Sequence, residues 1–324
     1  MKRCLYCYQS LEDERRDYHV VCSKKFFGSI TPPELSYGLK DIKELAGQVI
    51  KSRFAITGAQ PKLSLDIVKD KPSQTEKFTI VGVWGNYILK PQSDKYVQLP
   101  EVEDVTMHLA SIARINVVPH SLIRMAEGSH AYITRRIDRT KQKNKVIKWH
   151  MEDMCQITER LTANKYDGSY EQIAKAIWKY SSRPVLDIVN FYEQVLFSFL
   201  TGNADMHLKN FSLINDENAE YILTPAYDMI STALVIPEDK EQLALTLNGR
   251  KNKIVRSDFI SAFNNAQLDE KQQWNIFKKM EACKSDWLSF IDISFLSKEF
   301  KIKYKEVIHQ RFHVVYGAEH SGKT

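Results

Sequence analysis

Residues 203–214 read NADMHLKNFSLI, and the reading of this stretch decides the fold around it. Asp205 and Asn210 stand five positions apart, with His207 and Lys209 between them and an apolar FSLI run behind. The preceding segment, VLDIVNFYEQVLFSFLTG, has helical spacing and a near-continuous apolar face, as a buried helix stopped at Gly202 would. NADMHLKN is therefore expected as a loop leaving a buried helix, where polar groups stand on a rigid support. FSLI and YILTP, separated by the turn-prone NDENAE, predict a hairpin that delivers Asp228 in YDMIS. Asp-x4-Asn with a second Asp beyond a hairpin is a donor set suited to phosphoryl transfer. One carboxylate can orient an attacking hydroxyl, while an amide oxygen and another carboxylate hold magnesium, a hard cation that prefers oxygen. Taken singly, Asp205 reads better as a helix-terminal turn residue and Asp228 as a cap; it is their combination that points to chemistry.

Working towards the N-terminus, LSLDIV, KFTIVGV and NYILK alternate like strands, and EVEDVTMHLASIARI has the spacing of an amphipathic helix with Val105, Leu109, Ile112 and Ala113 on one face. HSLIRM and SHAYITRRI follow as strands around a glycine-containing turn. Lys90 ends the NYILK strand, and the next helix offers it Glu101 or Glu103 as an ion-pair partner. A lysine so held can reach nucleotide phosphates, although an exposed lysine at a strand end is the alternative. ITGAQPKLSL has one glycine between strand-like flanks, is neither a Walker A loop nor GxGxxG, and is a weak phosphate cradle by itself. Past Asp138, ITERLTANKYDGSYEQIAKAIWKYSSRP and the tail from about 255 carry helical spacing. Trp178, Phe191, Phe197 and Phe199 read as core, and Cys155 and Cys283 as buried fillers. The organisation expected is α+β: a small unit over 1–28, a mixed α/β lobe over 29–138, and a mainly helical lobe over 139–324.

The first 28 residues include CLYCYQSLEDERRDYHVVCSKKFFG, in which Cys4-x-x-Cys7 and His19-x-x-Cys22 can close a tetrahedral structural zinc site. The competing reading makes the three cysteines small buried hydrophobes and His19 a surface residue.

The 324 residues, 43% of them hydrophobic, suffice for one large domain or two lobes, and disorder is not expected. Forty-six Lys+Arg against 40 Asp+Glu leave a net charge of +6, modest for a body of this size and a weak argument for nucleic acid. No apolar signal-peptide core follows the start. The best membrane-span candidate, 221–237, carries Asp228 and two prolines. A cytoplasmic protein without membrane association is expected.

ITGAQPKLSL, YILKP, RRIDR, EDMCQI, GNADMHLKNFSLI and LTPAYDMIS occur in an order, over roughly 54–235, that resembles the HipA-type serine/threonine kinases of bacterial toxin–antitoxin systems. The resemblance implies a two-lobed fold related to phosphatidylinositol and aminoglycoside kinases, using ATP and Mg²⁺. Asp205 would be the catalytic base, Asn210 and Asp228 would hold magnesium, and His207 and Lys209 would lie beside the phosphates. Lys90 would contact the α/β-phosphates and Glu103 would belong to the same nucleotide site, with Lys62 and the backbone of Gly58, Ala59 and Gln60 over the nucleotide. Backbone groups near Arg135 and Ile137 would meet the adenine. Long family members have Glu where Arg135 stands, a change that backbone contacts tolerate. Thr57 occupies the place of the phosphate-loop serine that is autophosphorylated in the family, and a phosphate there would compete with ATP.

The segment ahead of the phosphate loop is shorter than in long HipA proteins, like that of the short HipT-like members. The implied partners are a small HipS-like subunit, a helix-turn-helix HipB-like antitoxin, DNA only through that antitoxin, and a protein substrate, with aminoacyl-tRNA synthetases suggested. Two other functions fit parts of the pattern. A small-molecule phosphotransferase of aminoglycoside-kinase type shares the DMH triplet, and a non-catalytic nucleotide-binding protein would use the basic surface and the Cys/His unit.

Overall fold

A computed structural model describes residues 2–42, 44, 62–69, 75–82, 84–142, 145–215, 218 and 220–317. Thr57, Gly58, Ala59 and Gln60 lie outside the described residues. Two compact units result: one of Met1–Asp104, Val118–Ile137 and Ile293–Phe295, the other of Val105–Val117, Asp138–Asp292 and Leu296–Thr324.

The first unit is built on β1 (Leu63–Lys69), β2 (Glu76–Ile80), β3 (Tyr87–Lys90), β4 (His120–Arg124) and β5 (His130–Arg135), which form an antiparallel sheet in the order β2-β1-β3-β5-β4. β4 and β5 are joined by a tight turn in which Met125 N–H donates to Ser129 O at 2.8 Å, and Gly128 takes the left-handed φ of 94° that such a turn needs. Short helix α1 (Val20–Phe27) brings Phe26 and Phe27 against Phe78 and Tyr87, a set of edge-on aromatic contacts at 4.8–6.0 Å that forms the apolar heart of this unit.

Helix α2 (Leu99–Ile112) begins ahead of the EVEDV run; of the four residues expected on one face, Val105, Leu109 and the following Ala113 are buried and Ile112 is half-buried. Around KQKNK the chain pairs β6 (Arg139–Gln142) with β7 (Lys145–Lys148), a hairpin that charge-rich composition conceals. β8 (Met151–Asp153) follows, then a single turn α3 (Met154–Ile157). The long helical reading through ITERLTANKYDG is corrected: α4 spans only Tyr170–Tyr180, started by the Ser169/Gln172 capping box. Before it the backbone turns left-handed at Glu159, φ 57°, which no helix continues through.

Helix α5 (Pro184–Leu200) is the core of the second unit, and every residue from Phe191 to Leu200 is buried. It starts with Pro184 in its first turn and is anchored by Asp187, whose buried carboxylate accepts from Ser181 Oγ at 2.7 Å and Leu223 N–H at 2.8 Å. Strands β9 (Ser212–Asn215) and β10 (Tyr221–Leu223) pair antiparallel as the expected hairpin, with β8 on the far side of β9. The unit is completed by α6 (Thr232–Val235), α7 (Arg256–Asn265), α8 (Glu270–Ala282), α9 (Lys284–Ile293) and α10 (Lys298–Tyr316). Among the described residues, no helix is long and apolar enough to cross a membrane.

Candidate functional site

The loop that carries Asp205 is set by how α5 ends. Asn203 N–H donates to Ser198 O at 2.7 Å and Gly202 N–H to Phe199 O at 3.2 Å, the paired bonds of a Schellman stop. Gly202 has φ 70°, and a Cβ there would stand 2.8 Å from Val307 Cγ1 and 2.9 Å from Ala233 Cβ, so glycine is required for both conformation and space. Thr232 Oγ1 then fastens the loop twice, accepting from Ala204 N–H at 2.8 Å and donating to Gly202 O at 3.2 Å.

Asp205 emerges from this clamp with its backbone held on both sides. Its N–H donates to Asn203 Oδ1 at 3.0 Å, and its carbonyl accepts from Asn210 Nδ2 at 2.9 Å. The amide nitrogen of Asn210 is thus committed to the loop's own backbone, and its Oδ1 is the atom of that side chain able to ligate a cation. The Asp205 carboxylate accepts a 2.5 Å hydrogen bond from Tyr166 Oη, and Oδ1 lies 3.9 Å from His207 Nε2. Tyr166 is 39% exposed and its ring meets the imidazole of His207 edge-on at 4.9 Å. Burial, together with the Asp205 charge, keeps the Tyr166 hydroxyl protonated far above neutral pH, so it acts as a donor.

His207 is buried, and desolvation pulls its pKa down to about 4 even though Asp205 and Asp228 both act to raise it. The imidazole is consequently neutral at physiological pH, and its buried Nδ1 has no hydrogen-bond partner among the described residues. That both carboxylates act on this ring places Asp228 in the same neighbourhood as Asp205. Asp228 has φ 56°, a left-handed conformation that a short polar side chain tolerates. Its neighbour Tyr227 fixes the segment, with Oη 2.5 Å from Ser212 Oγ and donating to Lys209 O at 3.1 Å. The Nζ of Lys209 pairs with Asp153 Oδ2 at 2.5 Å, so its charge is engaged by the residue that caps α3. Asp205, His207 and Asn210 therefore share one loop, with Asp228 delivered beside them by the hairpin. Asn203 and Tyr166 also belong to this neighbourhood. The NAD triplet contains the first, whereas nothing in the KYDG stretch marks the second.

In the first unit Lys90 is buried at the end of β3 and forms an ion pair with Glu103, also buried, while its Nζ lies 5.3 Å from the Tyr132 ring centroid. Glu101 instead accepts from His130 Nδ1 at 2.9 Å. Lys62 is partly buried immediately before β1. Arg135 is exposed at the end of β5 and its N–H already donates to Pro119 O at 2.9 Å, while Ile137 closes this part of the unit.

Residues 54–287 match the family model of the HipA-like C-terminal domain. A Haemophilus influenzae protein provisionally named a kinase is 30% identical over 275 residues, 78% of this chain and 77% of its own. The serine/threonine-protein kinase toxin HipA of Shewanella oneidensis is 27% identical over 215 residues, 61% of this chain and 47% of its own. The chain thus spans about half the length of that relative. Among solved structures it is similar to Shewanella oneidensis HipA in a complex with HipB and operator DNA, with TM-score 0.67 and 20% identity over 84% of this chain and 71% of the other. It is also similar to the Helicobacter pylori proinflammatory kinase CtkA, with TM-score 0.53 and 16% identity over 72% of this chain and 89% of the other. These likenesses establish the fold as α+β and two-lobed kinase-like, with a mixed N-terminal lobe and a mainly helical C-terminal lobe.

Proposed function

The chain belongs to the HipA-like C-terminal domain family, and on that premise we propose that it is an ATP- and Mg²⁺-dependent serine/threonine protein kinase. The single observation that carries the reading is the 2.5 Å hydrogen bond from the Tyr166 hydroxyl to the Asp205 carboxylate: the carboxylate is aimed where it can hold an O–H group. An attacking serine or threonine hydroxyl would take the same seat. Asp205 would orient it and receive its proton, a role in which position matters more than basicity.

The donor set fits a magnesium–nucleotide complex. Asn210 would offer its amide oxygen, Asp228 a carboxylate, and the neutral His207 of the same loop has a buried Nδ1 without a hydrogen-bond partner among the described residues. The Mg²⁺–ATP complex would supply the phosphoryl group and most of the charge neutralisation. Lys209 would support the loop through Asp153 more than act as a free cation. In the first unit, Lys90, held by Glu103, would bind phosphate oxygens as a point charge, with Lys62 and the Gly58–Gln60 backbone over the nucleotide. The Arg135 N–H is already committed, so adenine recognition would fall to its carbonyl and to the Ile137 backbone. Thr57 is the proposed autophosphorylation site.

The similarity to a HipA found with HipB and operator DNA supports a helix-turn-helix antitoxin as partner, with DNA reached through it. A small HipS-like subunit and a host protein substrate complete the reading. Intact mass spectrometry of the full chain before and after incubation with Mg-ATP, beside Asp205→Asn, tests it. Phosphate gained by the wild type alone, mapped to Thr57, is the expected result. Absence of phosphate gain, ATP hydrolysis and nucleotide binding in the wild type would overturn it.

A further inference from the structure

Among the described residues two side-chain clusters outside the Asp205 loop could hold a metal ion, Asp104/His108/His120 and Cys4/Cys7/His19/Cys22, and only the second offers four ligands. Cys4, Cys7, His19 and Cys22 bring their ligand atoms within 4.8 Å of one another, with Cys7 Sγ 3.4 Å and Cys22 Sγ 3.8 Å from His19 Nδ1. The edges of a tetrahedron around zinc with sulfur and nitrogen ligands are about 3.5–3.8 Å, so the four atoms already surround a point suited to the ion. All five cysteines of the chain are free thiols.

Three features aim these atoms. The His19 Nε2 lies 3.0 Å from the Ser10 carbonyl, which can only accept, so Nε2 carries the proton. Nδ1 therefore turns a bare lone pair towards the sulfurs, the tautomer control that metal-binding histidines receive from an outer hydrogen bond. The Cys4–Cys7 turn is closed by Tyr8 N–H to Cys4 O and Cys4 N–H to Gln9 O, both 2.9 Å, and the Gln9 backbone hydrogen-bonds to the Cys7 sulfur. To make that turn Tyr8 adopts φ 63°, an expensive conformation for an aromatic residue, and is retained in it by a 2.6 Å hydrogen bond from its hydroxyl to Asp104. Finally, His19 occupies the N-cap position of α1 and Cys22 the third residue of that helix, a spacing that brings the two side chains together.

We propose that Cys4, Cys7, His19 and Cys22 form a closed, structural zinc site that staples the N-terminal segment onto the outer strand of the five-stranded sheet. The segment is seated on that strand: the Leu5 carbonyl accepts from Leu122 N–H at 3.2 Å and Ser121 Oγ at 3.1 Å, and Tyr18 Oη donates to Leu122 O at 2.5 Å. Arg124 and Asp17 add an ion pair at 3.0 Å. β4 is the last strand of its sheet, so this segment covers an edge that would otherwise offer unpaired backbone groups. With three thiolates and one imidazole filling four positions, no coordination site is left for a substrate. On binding, the three thiols release their protons to solvent and the metal replaces them.

The test uses the full-length chain, purified without chelator, with elemental analysis for zinc and then cobalt(II) titration of chelator-treated protein. One zinc per chain is expected, together with the visible bands and sulfur-to-metal charge transfer of tetrahedral thiolate cobalt. Chelation should lower the melting temperature by several degrees, with zinc restoring it. The Cys7→Ser/Cys22→Ser double variant should lose the metal, whereas Cys155→Ser/Cys283→Ser should keep it. Metal-free wild type without cobalt bands, or with Cys4 disulfide-bonded to Cys7 or Cys22, would overturn the proposal. So would undiminished metal in the Cys7/Cys22 variant, or a melting temperature insensitive to removal of bound zinc. None of these readouts depends on kinase activity.

Discussion

At the scale of single residues, Asp205 and Tyr166 are the sharpest test of the kinase reading. Asp205→Asn keeps the shape and the backbone hydrogen bonds to Asn203 and Asn210 but removes the proton acceptor. Turnover should fall roughly 10²–10⁴-fold with the melting temperature unchanged, measured by radiolabelled phosphate transfer. Tyr166→Phe removes the hydroxyl that already sits on Asp205. If that hydroxyl competes with the substrate's, kcat/KM should rise about tenfold, the lower end of what a hydrogen bond to a charged group is worth. A fall in kcat/KM would instead make Tyr166 a positioning residue. His207 carries a pH signature, because its folded pKa of about 4 lies below the unfolded value of 6.5. Between those values the unfolded chain binds more protons, so this contribution to stability is complete above about pH 6.5 and declines as pH falls towards 4. The loss amounts to about 3 kcal/mol, and chemical denaturation of His207→Gln from pH 7 to 4.5 should show a correspondingly flatter profile. A single titratable side chain buried in a loop could not be anticipated from the sequence, which contains the histidine but not its desolvation.

At the scale of elements, two junctions set the geometry. Gly202→Ala meets Val307 and Ala233 in a left-handed conformation, and should cost about 1–3 kcal/mol and loosen the Asp205 loop, seen as faster hydrogen exchange at 203–210. Lys90 and Glu103 join β3 to α2, both side chains buried. Lys90→Met should cost about 3–5 kcal/mol, since it takes the buried cation away from the buried Glu103 carboxylate, and denaturant unfolding would report it. Loss of activity in that variant therefore has to be read beside its stability. Periodicity located both elements, yet the choice of Glu103 over Glu101 belongs to packing: Glu101 faces His130, and Glu103 points inward to the lysine.

At the scale of the whole molecule, each of the two units has its own aromatic core, Phe26, Phe27, Phe78 and Tyr87 in one and the surroundings of α5 in the other. Phe26→Ala should accelerate amide exchange in strands 63–69 and 130–135 while leaving 184–200 almost unchanged, because exchange reports local and subglobal opening. Equal acceleration in both units would mean that they unfold as one. The features legible before folding rest on short-range chemistry. The period-two strands, the buried helix ending at Gly202, the hairpin leading to Asp228, the paired Cys-x-x-Cys and His-x-x-Cys spacings and the family motifs all follow from neighbouring residues. The β6–β7 hairpin was hidden because RTKQ and KVIK carry too little apolar alternation to mark two strands, and the start of α4 because a capping box and a left-handed backbone override helical spacing. Only the tertiary structure decided that Tyr166 donates to Asp205, that Glu103 holds Lys90, and that Ser10 selects the tautomer of His19. Each joins residues whose pairing depends on how the backbone folds, and desolvation and hydrogen-bond direction exist only once the surrounding chain has excluded water.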